Sequence, residues 1–123
     1  SGLWHSEQIS EEASLHSWAR LARGLCEMPN VFAVDLFSEP HGATWGFGPS
    51  YIDWHAAAQR IGNYVQRVCP HWLIMVEGAR SFPWNQVVPE LTPGQNLMGV
   101  RNQPPNGRIR LAEQSKLVYV PHV

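Results

Sequence analysis

Apolar positions along the chain fall into five patterned stretches. Leu15, Trp18, Leu21, Ala22 and Leu25 recur at three- and four-residue spacing, which predicts a helix with one apolar face. Ser10 supplies a capping hydroxyl at its start, Glu11 and Glu12 sit in the first turn where the helix dipole favours acids, and Pro29-Asn30 stops it. Val31 to Phe37 is almost continuously apolar, as in a strand covered on both sides in a parallel sheet. Asp35 interrupts that run. A buried carboxylate is costly without a partner, so an Arg or a group of backbone N–H donors is expected to meet it. Asp53 can cap a second helix whose buried side is Trp54, Ala57, Ala58, Ile61, Val65 and Val68, with Pro70 ending it. Trp72 to Gly78 repeats the first strand pattern, and Lys116 to Val123 gives a third strand. The span from Ala79 to Ser115 is rich in Pro, Gly and Asn and long for a structureless connection, so a short helix or a functional loop is expected within it.

The order α-β-α-β-loop-β implies an α/β fold with parallel strands and right-handed crossovers. No internal repeat or domain boundary is visible, so residues 1–123 read as one piece. Three strands and two helices leave a thin sheet with two open edges, which suggests part of a larger α/β domain and invites pairing with a second copy or a complementary fragment. The formal net charge of -1 and the scattered basic residues argue against nucleic acid as a partner. No apolar window is long enough for a membrane helix, and the N-terminus lacks the pattern of a signal peptide. Cys26 and Cys69 fit no metal-ligand spacing; the sequence favours two buried thiols near helix ends and leaves a disulfide open. No metal or organic cofactor is expected.

Composition changes the picture at one point. Six tryptophans are many for 123 residues. Trp18, Trp54 and Trp72 lie on apolar faces or strand starts and read as core. Trp45 lies in a Gly- and Pro-rich loop and is expected in a cleft, while Trp84 fits either place. His5, His16, His55 and His71 read as surface or helix-packing residues. Sites in parallel α/β folds gather at the C-terminal ends of strands, where Glu39, Glu77 and His122 stand. Carboxylates gathered at one sheet edge suit glycoside hydrolysis, in which one acid protonates the leaving oxygen and another stabilises or attacks the oxocarbenium centre.

The run "NVFAVDLFSEPHGATWG", followed by "DWHAAAQRIGNYVQRVCPHWLIMVEG", resembles the middle of a family 5 glycoside hydrolase of the endoglucanase (cellulase) branch. That family has a strand ending in Asn-Glu-Pro, often followed by His, then a loop with Trp-Gly. A helix beginning Asp-Trp and a strand ending "VEG" come next. "LWHSEQISEEASLHSWARLARGLCEMPN" is similar to the helix before that strand, and "LVYVPHV" to the sixth strand. The resemblance implies a partial (β/α)8 TIM barrel, about strands 4 to 6 with their helices, from one secreted catalytic domain that cleaves β-1,4-glucan with retention and without a cofactor. It assigns Glu39 as general acid/base, places Ser38, His41, Trp45 and His122 at the sugar, and moves Glu77 to a structural or hydrogen-bonding role. Ser38 replaces the family's Asn, which donates to the sugar 2-hydroxyl, and either reduced activity or a water filling the gap is expected from the shorter side chain. The nucleophile belongs to strand seven and has no counterpart here, so the isolated chain is expected to be inactive. The alternative is a non-catalytic half-barrel that binds glycans through Trp45, Trp84 and His122.

Overall fold

The computed structural model describes residues 2–79, 97–101 and 107–121. Helix α1 spans Glu11–Leu25, and the Ser10 hydroxyl accepts the Ala13 N–H at 3.1 Å, as the cap signal predicts. Strand β1 is Ala33–Asp35, helix α2 is Trp54–Val68, strand β2 is Leu73–Glu77 and strand β3 is Leu117–Val120. The sheet has the order β1-β2-β3, all parallel, with Asp35 opposite Met75 and Glu77 opposite Val120. All three strands therefore end at one edge. The first strand is shorter than its apolar run, although its ladder continues at both ends: Leu73 N–H donates to Phe32 O at 2.9 Å and Leu36 N–H to Met75 O at 3.1 Å.

Helix α2 lies over the sheet with Trp54, Ala57, Ala58, Ile61 and Val65 buried, as its periodicity predicts; Val68 is half-buried at the end. Gly62 is also buried and lets the helix come close: a Cβ there would lie 2.9 Å from Leu111 Cδ2 and 3.3 Å from Ile74 Cγ2. Helix α1 packs on α2 through small residues, Ala19 and Ala22. Leu21, expected on its covered face, is 44% exposed, because that side of α1 meets no described element. Trp4 is buried against Trp54 and donates its indole N–H to Glu11 at 2.6 Å, which ties the N-terminal segment to the start of α1.

Two expectations about polar and sulfur chemistry are corrected. Cys26 and Cys69 are not free thiols but a disulfide, with Cα atoms 5.6 Å apart. They are the C-cap residues of α1 and α2, and packing of the two helices brings those caps together. Asp35 is exposed rather than buried, and its Oδ1 accepts the Phe37 N–H at 3.2 Å. Only the Val34 and Leu36 side of this strand is buried, so the Asp35 carboxylate does not bear the cost of full burial.

The long connection contains two short 3-10 turns, Met98–Arg101 and Gln114–Lys116. Its 109–113 stretch is held against α2 by an amide stripe that periodicity of apolar residues does not reveal. Gln59 accepts the Arg110 N–H at 2.7 Å, Asn63 accepts the Ala112 N–H at 2.7 Å, and buried Gln66 both donates to and accepts from the Glu113 backbone at 3.0 and 3.1 Å. Amides four and seven residues apart lie on one helix face, so they can read out an extended backbone as a neighbouring strand would. Tyr119 on β3 closes the arrangement by accepting the Ile109 N–H at 2.7 Å; burial pushes its phenol above the ordinary value.

Candidate active site

The site grows from the turn after β1. Glu39 has φ of +54°, the one positive value at a non-glycine among the described residues. L-residues are disfavoured there by contact of Cβ with the carbonyl, and the following Pro40 restricts the backbone further. Pro40 itself is fully buried, so the turn is seated in the core on one side while Glu39 stays half-buried.

Glu77 holds this turn from the neighbouring strand end. Its side chain is 4% exposed. Oε2 accepts the Glu39 N–H at 2.7 Å, and Oε1 accepts the Ser38 hydroxyl at 3.4 Å. The Glu77 main-chain carbonyl accepts the indole N–H of Trp54 at 2.9 Å, so the first residue of α2 fixes the end of β2. The hydrogen-bonding role expected for Glu77 is thus what its contacts describe.

Behind Glu39 the loop is tied down rather than loose. His41 N–H donates to Glu39 O at 2.6 Å, and His41 Nδ1 lies 3.0 Å from the same oxygen. A carbonyl only accepts, so Nδ1 carries the proton in this contact. Asp53 serves two donors at once, the Ala56 N–H of the α2 cap and the Gly46 N–H, while Thr44 bridges the segment around Asp53 through Ile52 O and Trp54 N. Gly46, with φ of +76°, allows the reversal.

Trp45 departs from the expectation of an open cleft. It is 2% exposed, donates its indole N–H to Gly107 O at 3.0 Å, and packs on His55 and Tyr119 with centroids 5.4 and 6.3 Å away. Gly99 lies so close to its ring that a Cβ would overlap it. A loop composition suggested exposure, but the long connection folds over this indole and buries it. Trp54 and Trp72 are core, Trp18 is half-buried, and His55 packs beneath Trp45. The structure thus brings Ser38, Glu39, His41 and Glu77 together. His122 and Trp84 lie outside the described residues. Among the described residues the only His, Cys, Asp or Glu group tight enough for a metal is Cys26, Cys69 and His71, and its two sulfurs are bonded to each other. No helix of the described residues is long and apolar enough to cross a membrane.

Residues 2–123 match the Cellulase family, glycosyl hydrolase family 5. The chain belongs to that family. It is 40% identical over 131 residues to an endoglucanase of Paenibacillus polymyxa, covering 99% of this chain and 30% of that protein. It is 35% identical over 124 residues to the major extracellular endoglucanase of Xanthomonas campestris pv. campestris, covering 100% of this chain and 25% of that one. An endocellulase from Pyrococcus horikoshii, solved in complex with cellotetraose, superposes with a TM-score of 0.85 at 35% identity, covering 100% of this chain and 36% of its own. This family 5 chain therefore spans under a third of the length of the curated relatives it matches. Its α/β architecture, with a three-stranded parallel sheet, agrees with a part of their larger fold.

Proposed function

We propose that this family 5 segment is the part of a (β/α)8 barrel from about strand 4 to strand 6, and that the complete protein is a secreted, retaining endo-β-1,4-glucanase with Glu39 as general acid/base. The observation that carries the reading is the placement of Glu39: in the turn that follows the C-terminal end of parallel strand β1, with positive φ, clamped by a buried carboxylate. The extracellular endoglucanase and the cellotetraose complex among the relatives support secretion and a cello-oligosaccharide substrate.

The chemistry divides between this segment and the rest of the chain. In glycosylation Glu39 gives its proton to the glycosidic oxygen as the C1–O bond breaks, while a carboxylate outside these residues forms the new bond to C1. In hydrolysis of that ester, Glu39 takes the proton from the attacking water and returns to its acid form. His41 and Ser38 stand on either side of Glu39 and are assigned to the sugar, and the family resemblance assigns His122 to the subsite beside the cleaved bond. Trp45, being buried, contributes by shaping the loop under the subsite. On carboxymethyl-cellulose, Glu39→Gln in the complete protein is expected to lower the rate by about 10²–10⁴. An unchanged rate sinks the assignment.

A second reading applies to the segment alone. Among the described residues β1 and β3 each have one neighbour in the sheet, and β3 is half-buried throughout. Such edges favour pairing with a second copy or with a complementary barrel fragment. Sedimentation of the isolated chain is expected to show association; a compact monomer removes that reading.

A further inference from the structure

The double displacement described above gives Glu77 no part, yet Glu77 is almost wholly buried and both its oxygens are committed to the turn that carries Glu39. The stronger contact, 2.7 Å, is made to the backbone N–H of Glu39 itself, the residue whose φ of +54° is unfavourable for any side chain larger than glycine's. A strained backbone persists only when its surroundings hold it. Here the holding group is fixed in turn, because Trp54 is fully buried and bonds the Glu77 carbonyl at 2.9 Å.

We propose that Glu77 is a positioning residue for Glu39: its carboxylate locks the Glu39 peptide in the left-handed region and thereby aims the Glu39 carboxyl at the glycosidic oxygen. The Ser38 hydroxyl, in the position where the resemblance leads to an amide on the sugar, donates to Glu77 and completes the clamp. This inference rests on Glu39 being the general acid/base. Loss of the clamp lets the turn relax toward ordinary φ and swings the acid away from the bond it protonates. A displacement of about 1 Å at a reacting group can cost on the order of a hundredfold in rate.

The test uses the complete protein with Glu77→Ala, Glu77→Asp and Glu77→Gln, and with Glu39→Gln as reference. Two substrates separate aim from mere folding. Cellopentaose has a poor leaving group that needs the proton, whereas 2,4-dinitrophenyl β-cellobioside releases an anion that does not. Glu77→Ala is expected to lower kcat on cellopentaose at least ~10-fold with KM within about twofold, while the dinitrophenolate burst rate stays within about threefold. Glu77→Gln keeps an oxygen for the Glu39 N–H and is expected to recover most of the loss. Should Glu77→Ala not fold, Glu77→Asp carries the test: it keeps the charge but draws the acceptor back by one methylene, and the same split between substrates is expected. Equal losses on both substrates, or none, in the folded variant overturn the positioning role. Should Glu39→Gln itself show no split, the acid/base reading falls instead, so the two failures are told apart.

Discussion

Replacing Glu39 by glycine is expected to leave a more stable protein than replacing it by alanine, although both remove the same carboxyl. The two variants differ chiefly in what a Cβ does at φ of +54°. Left-handed backbone costs an L-residue roughly 1–2 kcal/mol that glycine does not incur. Glycine loses more freedom on folding, a disadvantage of about 0.4–1 kcal/mol against alanine. Glu39 is half-buried, so a lone methyl group recovers little by packing. The balance puts Glu39→Gly about 0.5–1 kcal/mol above Glu39→Ala. With an m-value of about 2 kcal/mol/M, the urea midpoints differ by roughly 0.3–0.5 M. Unfolding followed by tryptophan fluorescence suits the measurement, since Trp45, Trp54 and Trp72 are buried and change environment together. If alanine equals or exceeds glycine, the turn is not held at positive φ in solution, and the account of how Glu39 is aimed fails with it.

Removing the Cys26–Cys69 link by Cys26→Ala with Cys69→Ala is expected to cost about 2–4 kcal/mol, because the bridge closes a loop of 43 residues' separation in the unfolded chain; urea unfolding with and without dithiothreitol checks it, and coincident curves refute it. Gly62→Ala should gain about 1 kcal/mol of helix propensity but lose about 1–3 kcal/mol to overpacking against Leu111, Ile74 and Leu36, so net destabilisation is expected in thermal melts. The Arg60 guanidinium, hydrogen-bonded to Glu11 at 2.7 and 2.8 Å, holds the Glu11 carboxyl below its usual range of about 4.5, with the Trp4 indole N–H acting in the same sense. A lowered folded-state pKa contributes stability above the unfolded value and loses it as pH falls through the folded one. Glu11→Gln is therefore expected to cost under about 1 kcal/mol at neutral pH, discounted because the Arg60 side chain is 45% exposed, and its difference from the parent should shrink below pH ~4.5.

What could be read from the chain was what local chemistry determines. Ser10 and Asp53 announce their helices because a cap is a contact between near neighbours. The strand end at Glu77 and the turn that carries Glu39 after β1 were legible because buried parallel strands are apolar and stop where polarity returns. What escaped depended on contacts between distant segments. The pairing of Cys26 with Cys69 follows from how α1 meets α2, and nothing in a spacing of 43 residues encodes it. Burial of Trp45 follows from residues 99 and 107, half the chain away. The Gln59, Asn63 and Gln66 stripe was visible as letters but meaningless without the strand-like segment it grips. Asp35 erred in the opposite direction: a continuous apolar run suggested two covered faces, and only one is covered in these residues.

The disulfide sits where α1 and α2 end and the chain turns into β1 and β2, at the opposite edge of the sheet from Ser38, Glu39 and Glu77. Strength and chemistry are thus housed on different floors of the same layer. Loops on the Glu39 side can be exchanged or lengthened without touching the covalent tie that secures the helices. The clamp between Glu77 and Glu39 is a fastening that the upper floor carries for itself, and it is one a grafted loop would have to leave intact.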